Sequence, residues 1–197
     1  MDILVQFAQN AFYFSYALVP NWGFAILLFT FAIRLILFPL QIFTMREQAK
    51  IARLKPTLDA LQERHRTEPR RLLEERSLVL KNAGIRPSVS MVAMMIQLPI
   101  FFAVYEAIST NSALGSFGFA WLPNLAQHDP LFILPFILAL TVWFQSRSSN
   151  ASPQVPKSFA YGLSALSFFF MATMPAGVAL YSVASSVLQF ASQKMIS

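Results

Sequence analysis

The stretch "FTFAIRLILFPL", from Phe29 to Leu40, sets a single arginine, Arg34, into an otherwise apolar run. Such a run is typical of a helix that crosses a membrane, which needs about 20 mostly apolar residues. The guanidinium group of an arginine stays charged, and its burial at the middle of a bilayer costs from about 3 to more than 10 kcal/mol. The stretch therefore predicts a membrane protein in which other groups or water stabilise the charge of Arg34.

The composition of the whole chain agrees with a membrane protein. Of its 197 residues, 56% are hydrophobic and 12% are charged, and the mean hydropathy is +0.53, whereas about a quarter of the residues of a soluble domain are charged. The chain has no cysteine, which excludes disulfides and thiol chemistry. Its two histidines, His65 and His128, lie far apart and lack the spacing of a metal site. Neither a metal nor any other cofactor is predicted.

Five apolar stretches are predicted to be transmembrane helices. They run from about Trp22 to Phe43, Val89 to Ile108, Leu131 to Gln145, Phe159 to Met174 and Ala176 to Met195. The sequence "MPAG" at residues 174–177 breaks the helix between the last two stretches, because Pro and Gly both disfavour a helix interior. The predicted fold class is therefore an all-α, polytopic membrane protein whose five-helix core comprises residues 22–44 and 88–197.

The charged residues are concentrated between the first two of these stretches. Eleven of the 15 Lys and Arg residues and six of the nine Asp and Glu residues lie from Arg46 to Arg86. Leucines repeat at helical spacing in this block, and "HRTEPRR" at residues 65–71 separates two such runs, with Thr67 as the predicted N-cap of the second. Residues 45–87 are predicted to form a cytoplasmic helical hairpin. Its charges are either a merely solvated face or a docking surface for a partner.

The basic residues also predict the orientation, because those in short loops stay on the cytoplasmic side of a membrane. Outside the hairpin they occur in the linker from Arg147 to Lys157 and at Lys194, and none lies in residues 1–21 or 109–130. This alternation suits five spans with an outer N-terminus and a cytoplasmic C-terminus. Residues 1–21 have apolar side chains at helical spacing and are predicted to form a helix in the outer interface; a sixth, frayed span is the alternative.

Polar side chains follow the face of the first span that carries Arg34. Thr30, Arg34, Gln41 and Thr44 fall within about 80° of one another in a helical projection. Similar stripes occur on the other spans: Ser90 with Gln97, Thr141 with Gln145, and Tyr181 with Ser185, Gln189 and Ser192. Any one stripe is compatible with ordinary interhelical hydrogen bonds, but several around one arginine favour a shared, hydrated groove. The alternative, an ion pair between Arg34 and Glu106, is disfavoured by a depth offset of roughly 14 Å.

Four stretches carry the most specific pattern in the chain. They are "NWGFAILLFTFAIRLILFPL" at 21–40, "KIARLKPTLDALQERHRTEPRRLLEERSLVLKNAGIRPS" at 50–88, "MMIQLPIFFAVYEAI" at 94–108 and "MPAGVALYSVASSVLQFASQKMI" at 174–196. Their order and spacing resemble those of the YidC membrane protein insertases, which are relatives of the Oxa and Alb insertases. The resemblance covers nearly the whole chain from Asn21 onward. Ser182 and Ser186 depart from it, since the family commonly has Trp and Asn at these positions.

The resemblance implies a five-helix core around a hydrophilic groove that is open to the cytoplasm and to lipid but closed outward. It implies that Arg34 is the positive charge of the groove, that Tyr181 lies where a substrate span leaves, and that Thr30 and Gln97 line or border the groove. Combined with the polar stripes, it predicts a substrate-binding groove made of Arg34, Thr30, Gln41, Gln97, Tyr181, Ser185 and Gln189.

The function that the resemblance implies is a membrane protein insertase or chaperone, not an enzyme, that releases hydrophobic segments laterally into lipid. The chain has no phosphate-binding GxxxxGK[ST] motif, which fits insertion without nucleotide hydrolysis. The implied partners are nascent membrane proteins, the ribosome, targeting factors and membrane lipids, with the Sec translocon left open and no specific recognition of nucleic acid. The expected location is the bacterial plasma (inner) membrane, because no transit peptide is visible.

A small anion channel or transporter that uses Arg34 is the alternative function, because an unpaired charge within a membrane also marks ion pathways. The sequence shows no inverted repeat and no pair of glycine-broken spans that would support a transporter. An intramembrane protease is disfavoured because neither histidine lies in a predicted span and no GxSxG motif is present. A passive scaffold would leave the charge of Arg34 unexplained.

Overall fold

The structure is a computed structural model that describes residues 2–85, 88–148 and 157–196. The helices are α1 (Asp2–Leu18), α2 (Trp22–Arg53), α3 (Lys55–Arg64), α4 (Pro69–Asn82), α5 (Ser88–Ser109), α6 (Ile133–Ser148), α7 (Lys157–Ala172) and α8 (Ala176–Ile196), with a short 3₁₀ helix at Ser112–Ser116. In these ranges the only β pairing is an isolated bridge between Phe119 and Leu122. The predicted all-α class is confirmed.

Helix α2 is one continuous helix of 32 residues. It starts at an N-cap, Asn21, whose side chain accepts hydrogen bonds from the backbone N–H groups of Gly23 and Phe24 at 3.0 and 3.3 Å. It continues through Pro39, and it extends ten residues past Phe43, where the predicted span ends, to Arg53. In the described part of the chain, it is the one helix whose length and composition by themselves suffice to cross a membrane.

The helices that follow the hairpin lie close to the predicted stretches. Helices α5 to α8 contain shorter apolar segments, at Met95–Ser109, Ile133–Ser146, Tyr161–Ala172 and Ala176–Ser192. Helix α7 ends at Ala172 and α8 begins at Ala176, so the predicted break at residues 174–177 is confirmed. Helices α6 and α7 pack against each other, and α8 packs against both α6 and α2.

The apolar core lies at one end of this bundle, which we call the capped end because residues 110–132 cover it. In the apolar part of α2, the buried residues lie near the start of the helix, from Trp22 to Thr30. In α5 they lie near the end of the helix, from Ala103 to Ile108. On α8 they are again near the start, from Ala176 to Ser185. At the opposite end, which we call the open end, side chains of α2 and α5 such as Leu35 and Leu98 are exposed. The fully buried apolar side chains of these helices are therefore concentrated at the capped end.

Backbone contacts tie the cap to the helices beneath it. The backbone N–H groups of Ala176 and Gly177, at the start of α8, donate to the carbonyls of Gln127 and Leu125 at 2.6 and 2.9 Å. A Cβ atom on Gly177 would lie 2.9 Å from Ile108 Cγ2, a distance that would force the side chains apart. The cap therefore requires glycine at this position.

Helix α1 packs on the same end of the bundle, against α2 and α5. Ala8, Phe12 and Ser15, which share one face of this helix by their spacing, are buried. Phe12 contacts the rings of Trp22 and Phe29, with centroids 5.3 and 5.7 Å away. The predicted N-terminal helix is confirmed as a helix, and its position relative to a membrane stays a prediction.

Helices α3 and α4 form the predicted hairpin around a small core of Leu58, Leu80 and Ile85. Gly84 has a φ of +66° and follows α4 in a Schellman motif, in which the Ile85 N–H donates to the Leu80 carbonyl at 2.9 Å. The predicted N-cap of α4 is wrong: the residue at that position is Glu68, not Thr67. Pro69 fixes the first turn of α4 without a side-chain cap.

Candidate functional site

A cavity of about 400 Å³ lies among the helices beyond the packed core, and we call it the groove. Its walls come from α2, α5, α6, α7 and α8. The lining residues are Arg34, Leu37, Leu40, Gln41, Thr44, Gln48, Ile96, Gln97, Leu138, Met171, Tyr181, Ser182, Ser185, Ser186 and Gln189. Six of the seven predicted site residues are thereby brought together around one space, and only Thr30 is not among them.

Arg34 is fixed in the groove by two residues of α8. Its Nε donates a hydrogen bond to Ser185 Oγ at 2.7 Å, and its Nη2 lies 3.4 Å from Gln189 Oε1. The first bond is short and charge-assisted, and Ser185 is 4% exposed. Because residues 185 and 189 are one helical turn apart, both oxygens face the same guanidinium group.

Tyr181 lies one turn before Ser185 on α8 and is almost fully buried. Its hydroxyl lies near the side chains of Ser185 and of Gln97 from α5. Tyr181 therefore links the two helices that flank the arginine, and it marks the place where the packed core ends and the groove begins.

The polar face of α2 continues the groove toward the open end. Gln41, Thr44 and Gln48 follow Arg34 at intervals of seven, three and four residues, which keeps them on one face of a helix. The Gln41 side-chain amide lies 3.5 Å from the Gln189 carbonyl. The sequence analysis missed Gln48, because the predicted span ended at Phe43. The same helical spacing, continued into the charged part of α2, would have included this residue.

Two serines of α8 also line the groove although they were not predicted as site residues. Ser182 and Ser186 lie beside Tyr181 and Ser185 in the lining. The Ser182 hydroxyl donates to the Val178 carbonyl at 2.8 Å, which leaves its oxygen able to accept a bond from the groove. The sequence could have marked these two serines, because they depart from the family pattern: small polar side chains stand where the family commonly has larger ones.

The groove is amphipathic, because apolar side chains complete its wall. Those side chains are Leu37, Leu40, Ile96, Leu138 and Met171. A space of this kind can hydrate a polar segment along α2 and α8 while an apolar segment contacts the remaining wall.

Thr30 lies one turn from Arg34 but inside the packed core. It is fully buried, and its hydroxyl donates to the Ile26 carbonyl at 2.6 Å. Thr141 and Ser192 likewise donate to carbonyls of their own helices, at 2.7 Å each. These three residues follow the ordinary behaviour of Ser and Thr in apolar helices, and the side chain of Ser90 lies outside the described residues.

No carboxylate among the described residues forms an ion pair with Arg34. The salt bridges there join Lys50 to Glu47 and Arg71 to Glu68, and Glu75 lies beside the ring of His65 at 3.1 Å. Glu106 lies near the end of α5 at the capped end and is exposed. The alternative ion pair with Glu106 is therefore absent from the described part of the chain, and hydroxyl and amide groups surround the charge instead.

Comparisons with known proteins agree on one family. The family model described as "60Kd inner membrane protein" matches residues 14–197. A protein of Helicobacter pylori named "Membrane protein insertase YidC" is 32% identical over 98% of this chain, and one of the same name from Aquifex aeolicus is 28% identical over the whole chain. Among solved structures, an active YidC insertase with the first transmembrane domain resolved shares the fold, with a TM-score of 0.79 at 22% identity over 97% of this chain.

The chain spans less than half the length of these proteins. It corresponds to 37% of the Helicobacter pylori protein, 39% of the Aquifex aeolicus protein and 45% of the solved chain. The family match nevertheless covers nearly every residue of this chain, including all those that line the groove. The chain therefore belongs to the 60Kd inner membrane protein family, the family of the YidC insertases.

Proposed function

We propose that the chain acts as a membrane protein insertase that receives the polar flank of a nascent hydrophobic segment in the groove and releases the segment laterally into lipid. The observation that carries this proposal is the charged, hydrogen-bonding cavity around Arg34 within apolar helices. Such a cavity lowers the free energy of a polar chain partway across a membrane, because its polar groups offer the hydrogen bonds that the hydrocarbon core cannot.

The groove has the form that one-sided access requires. At the capped end, α2, α5 and α8 bury mainly apolar side chains, and Gly177 lies close to Ile108 and the cap. Toward the open end, the lining residues Gln41, Thr44 and Gln48 are only partly buried. A polar flank would therefore enter from the open end and advance as far as Arg34. The hydrophobic segment that follows the flank would then be released into the lipid.

The roles we assign to the predicted residues follow from their positions. Arg34 supplies the positive charge, Ser185 and Gln189 orient it, and Gln41 extends the polar path. Gln97 and Tyr181 close the groove at the side of the packed core. We assign Thr30 to the packing beneath these two residues.

Insertion by this route needs no nucleotide. Burial of about 20 mostly apolar residues in lipid is favourable by itself, at about 25 cal/mol per Å² of apolar surface removed from water. An acidic flank that moves outward gains a further 2.3 kcal/mol or so per charge for each 100 mV of membrane potential. The protein then acts as a chaperone of the segment rather than as an enzyme.

The topology that suits this role has five spans, α2 and α5 to α8, with the capped end outside and the hairpin in the cytoplasm. The support is the charge pattern of the sequence: 11 of the 15 basic residues fall between Arg46 and Arg86, after the apolar part of α2, and residues 109–130 of the cap contain none. We propose a location in the bacterial inner membrane, with the N-terminus outside and the C-terminus inside.

The partners follow from the same arrangement. The hairpin presents exposed charges and the exposed side chains Leu73 and Leu78 to the cytoplasm, which suits contact with the ribosome or a targeting factor. Exposed apolar side chains on α2 and α5 suit contact with lipid and with the released segment. The Sec translocon is a further candidate partner on the lipid-facing sides.

Site-specific photo-crosslinking to a ribosome-stalled nascent chain tests the proposal. A photoreactive residue at Gln41, which lines the groove, is expected to form an adduct when the tether is short and to lose it as the segment lengthens. The matched control is Leu35 on the same helix, which is 63% exposed and outside the groove; it is expected to give no adduct at the short tether lengths at which the segment has not yet been released. Absence of an adduct from Gln41 at every tether length, with the protein inserted and folded, would exclude the groove as the substrate path.

The alternative, an anion channel or transporter, has one observation in its favour, the absence of a carboxylate partner for Arg34 among the described residues. The packed capped end opposes it, because a conducting path has to continue across the membrane. Steady anion flux through proteoliposomes that contain the chain alone would favour this alternative, whereas flux no higher than that of empty vesicles would exclude it.

A further inference from the structure

Among the described residues that line the groove, one carries a formal charge, and no carboxylate among them compensates it. Among the described residues that line the cavity, Arg34 is the only one whose side chain is charged at neutral pH, and the charge of an arginine persists at any physiological pH. The chain has nine Asp and Glu residues in all, and those whose side chains the structure describes do not line the groove. The nearest carboxylate along α2, Glu47, is 13 residues or about 20 Å of helix away and is paired with Lys50.

The guanidinium group of Arg34, which lines the cavity, also keeps unused donors. An arginine has five N–H groups, and the contacts with Ser185 and Gln189 use two of them. Three N–H groups are then left without a protein partner in the described part of the chain. The side chains of Gln97 and Tyr181, which lie close to each other, complete the polar lining at the same end of the groove.

From these two observations we propose that the resting groove binds a small, singly charged anion of about chloride size beside Arg34. One fixed positive charge matches one negative charge, and a doubly charged anion would leave an excess charge in an apolar surrounding. The space is sufficient, since about 400 Å³ holds the anion together with several waters at about 30 Å³ each.

The anion is a free ion from solution rather than the phosphodiester of a lipid. Arg34 lies 14 residues from Gln48, the groove residue of α2 nearest the open end, which corresponds to roughly 21 Å along the helix. A lipid headgroup would have to leave the membrane interface to travel this distance, whereas a hydrated ion enters with water. The inference concerns the groove without substrate and does not depend on the proposed insertase activity.

Chloride-35 NMR on the full chain in a non-ionic detergent tests the site, with sodium gluconate used to hold the ionic strength constant. The native protein is expected to broaden the chloride line in a saturable manner. Arg34→Gln is expected to weaken chloride binding by about 10- to 100-fold, because a charge-assisted interaction is lost, and Arg34→Lys is expected to restore part of it.

The matched control is Arg46→Gln, since Arg46 is exposed on the same helix and does not line the groove. This variant is expected to broaden the chloride line as the native protein does. Equal broadening by Arg34→Gln and the native protein would overturn the proposal, and so would an equal loss in Arg34→Gln and Arg46→Gln.

A second measurement requires no variant and therefore remains decisive if Arg34→Gln fails to fold. Crystals of the native protein grown in bromide are expected to give an anomalous peak within about 3.5 Å of the Arg34 guanidinium group; a map without a peak there would overturn the proposal.

Titration with phosphatidylglycerol distinguishes the two sources of the anion. Loss of chloride broadening at a few equivalents of this lipid, but not of phosphatidylcholine, would assign the site to a lipid headgroup. That result would overturn the proposal that the anion is a free ion.

Discussion

Replacement of Asp129 is expected to loosen the cap that closes one end of the bundle. The Asp129 carboxylate is 2% exposed. Its Oδ1 accepts hydrogen bonds from Trp121 Nε1 and from the Leu131 N–H at 3.2 and 3.1 Å, and its Oδ2 accepts one from the Leu134 N–H at 2.8 Å. Because Leu134 lies in the first turn of α6, this one side chain joins the cap to the bundle.

The three bonds differ in what their loss would cost. Trp121 and Leu131 are 39% and 61% exposed and can turn to water, whereas Leu134 is 2% exposed and its N–H would stay buried. A hydrogen bond to a charged group contributes about 1.5–3 kcal/mol, and a buried donor without a partner costs about 1–3 kcal/mol. Asp129→Asn keeps Oδ1 and is expected to lower the free energy of unfolding by about 1.5–3 kcal/mol, and Asp129→Ala by about 3–5 kcal/mol.

Reversible unfolding in mixed detergent micelles, followed by circular dichroism, measures these differences. The matched control is Asn124→Ala, because Asn124 lies in the same cap and accepts a single hydrogen bond, from the Ala126 N–H at 2.8 Å. This control is expected to cost about 1 kcal/mol or less. If Asp129→Ala were no more destabilised than Asn124→Ala, or were more stable than Asp129→Asn, the role assigned to the buried carboxylate would be refuted.

Two further substitutions test packing at the capped end and in the hairpin. Gly177→Val adds atoms 2.9 Å from Ile108 Cγ2 and is expected to cost about 1–3 kcal/mol in thermal unfolding, whereas Gly162→Val, with open space around it, is expected to cost far less; equal losses would contradict the close packing. Leu58→Ala, in the buried core of the hairpin, is expected to cost about 2–4 kcal/mol and to speed proteolysis there, while exposed Leu78→Ala leaves it unchanged. Equal cleavage rates in both variants would contradict the hairpin core.

The features that sequence patterns predicted are those that depend on periodic side chains. A stripe of polar residues at helical spacing indicated which faces of α2 and α8 meet, and Arg34 does contact Ser185 and Gln189 across that interface. The lone charge in an apolar run is costly enough to demand polar neighbours, and this cost makes it informative without any knowledge of the fold.

The features that the sequence did not predict depend on tertiary contacts. Thr30 belongs to the stripe by spacing, yet it is buried in the core because the helices converge toward the cap at its level. Asp129 lies in a loop without periodicity, so no pattern marks its three hydrogen bonds. The length of α2 was not predicted, because hydropathy marks only the apolar part that ends near Phe43, whereas the helix continues through charged residues to Arg53.

The most direct test of the groove is its accessibility to water from each side of the membrane. The chain has no cysteine, so Ser182→Cys introduces a single thiol that lines the groove and Leu35→Cys introduces one on the exposed face of α2. In oriented vesicles, a membrane-impermeant maleimide is expected to label Ser182→Cys from the cytoplasmic side only and to leave Leu35→Cys unlabelled from either side. Labelling of Ser182→Cys from the outer side, or from neither side, would contradict a hydrated groove that is closed at the cap.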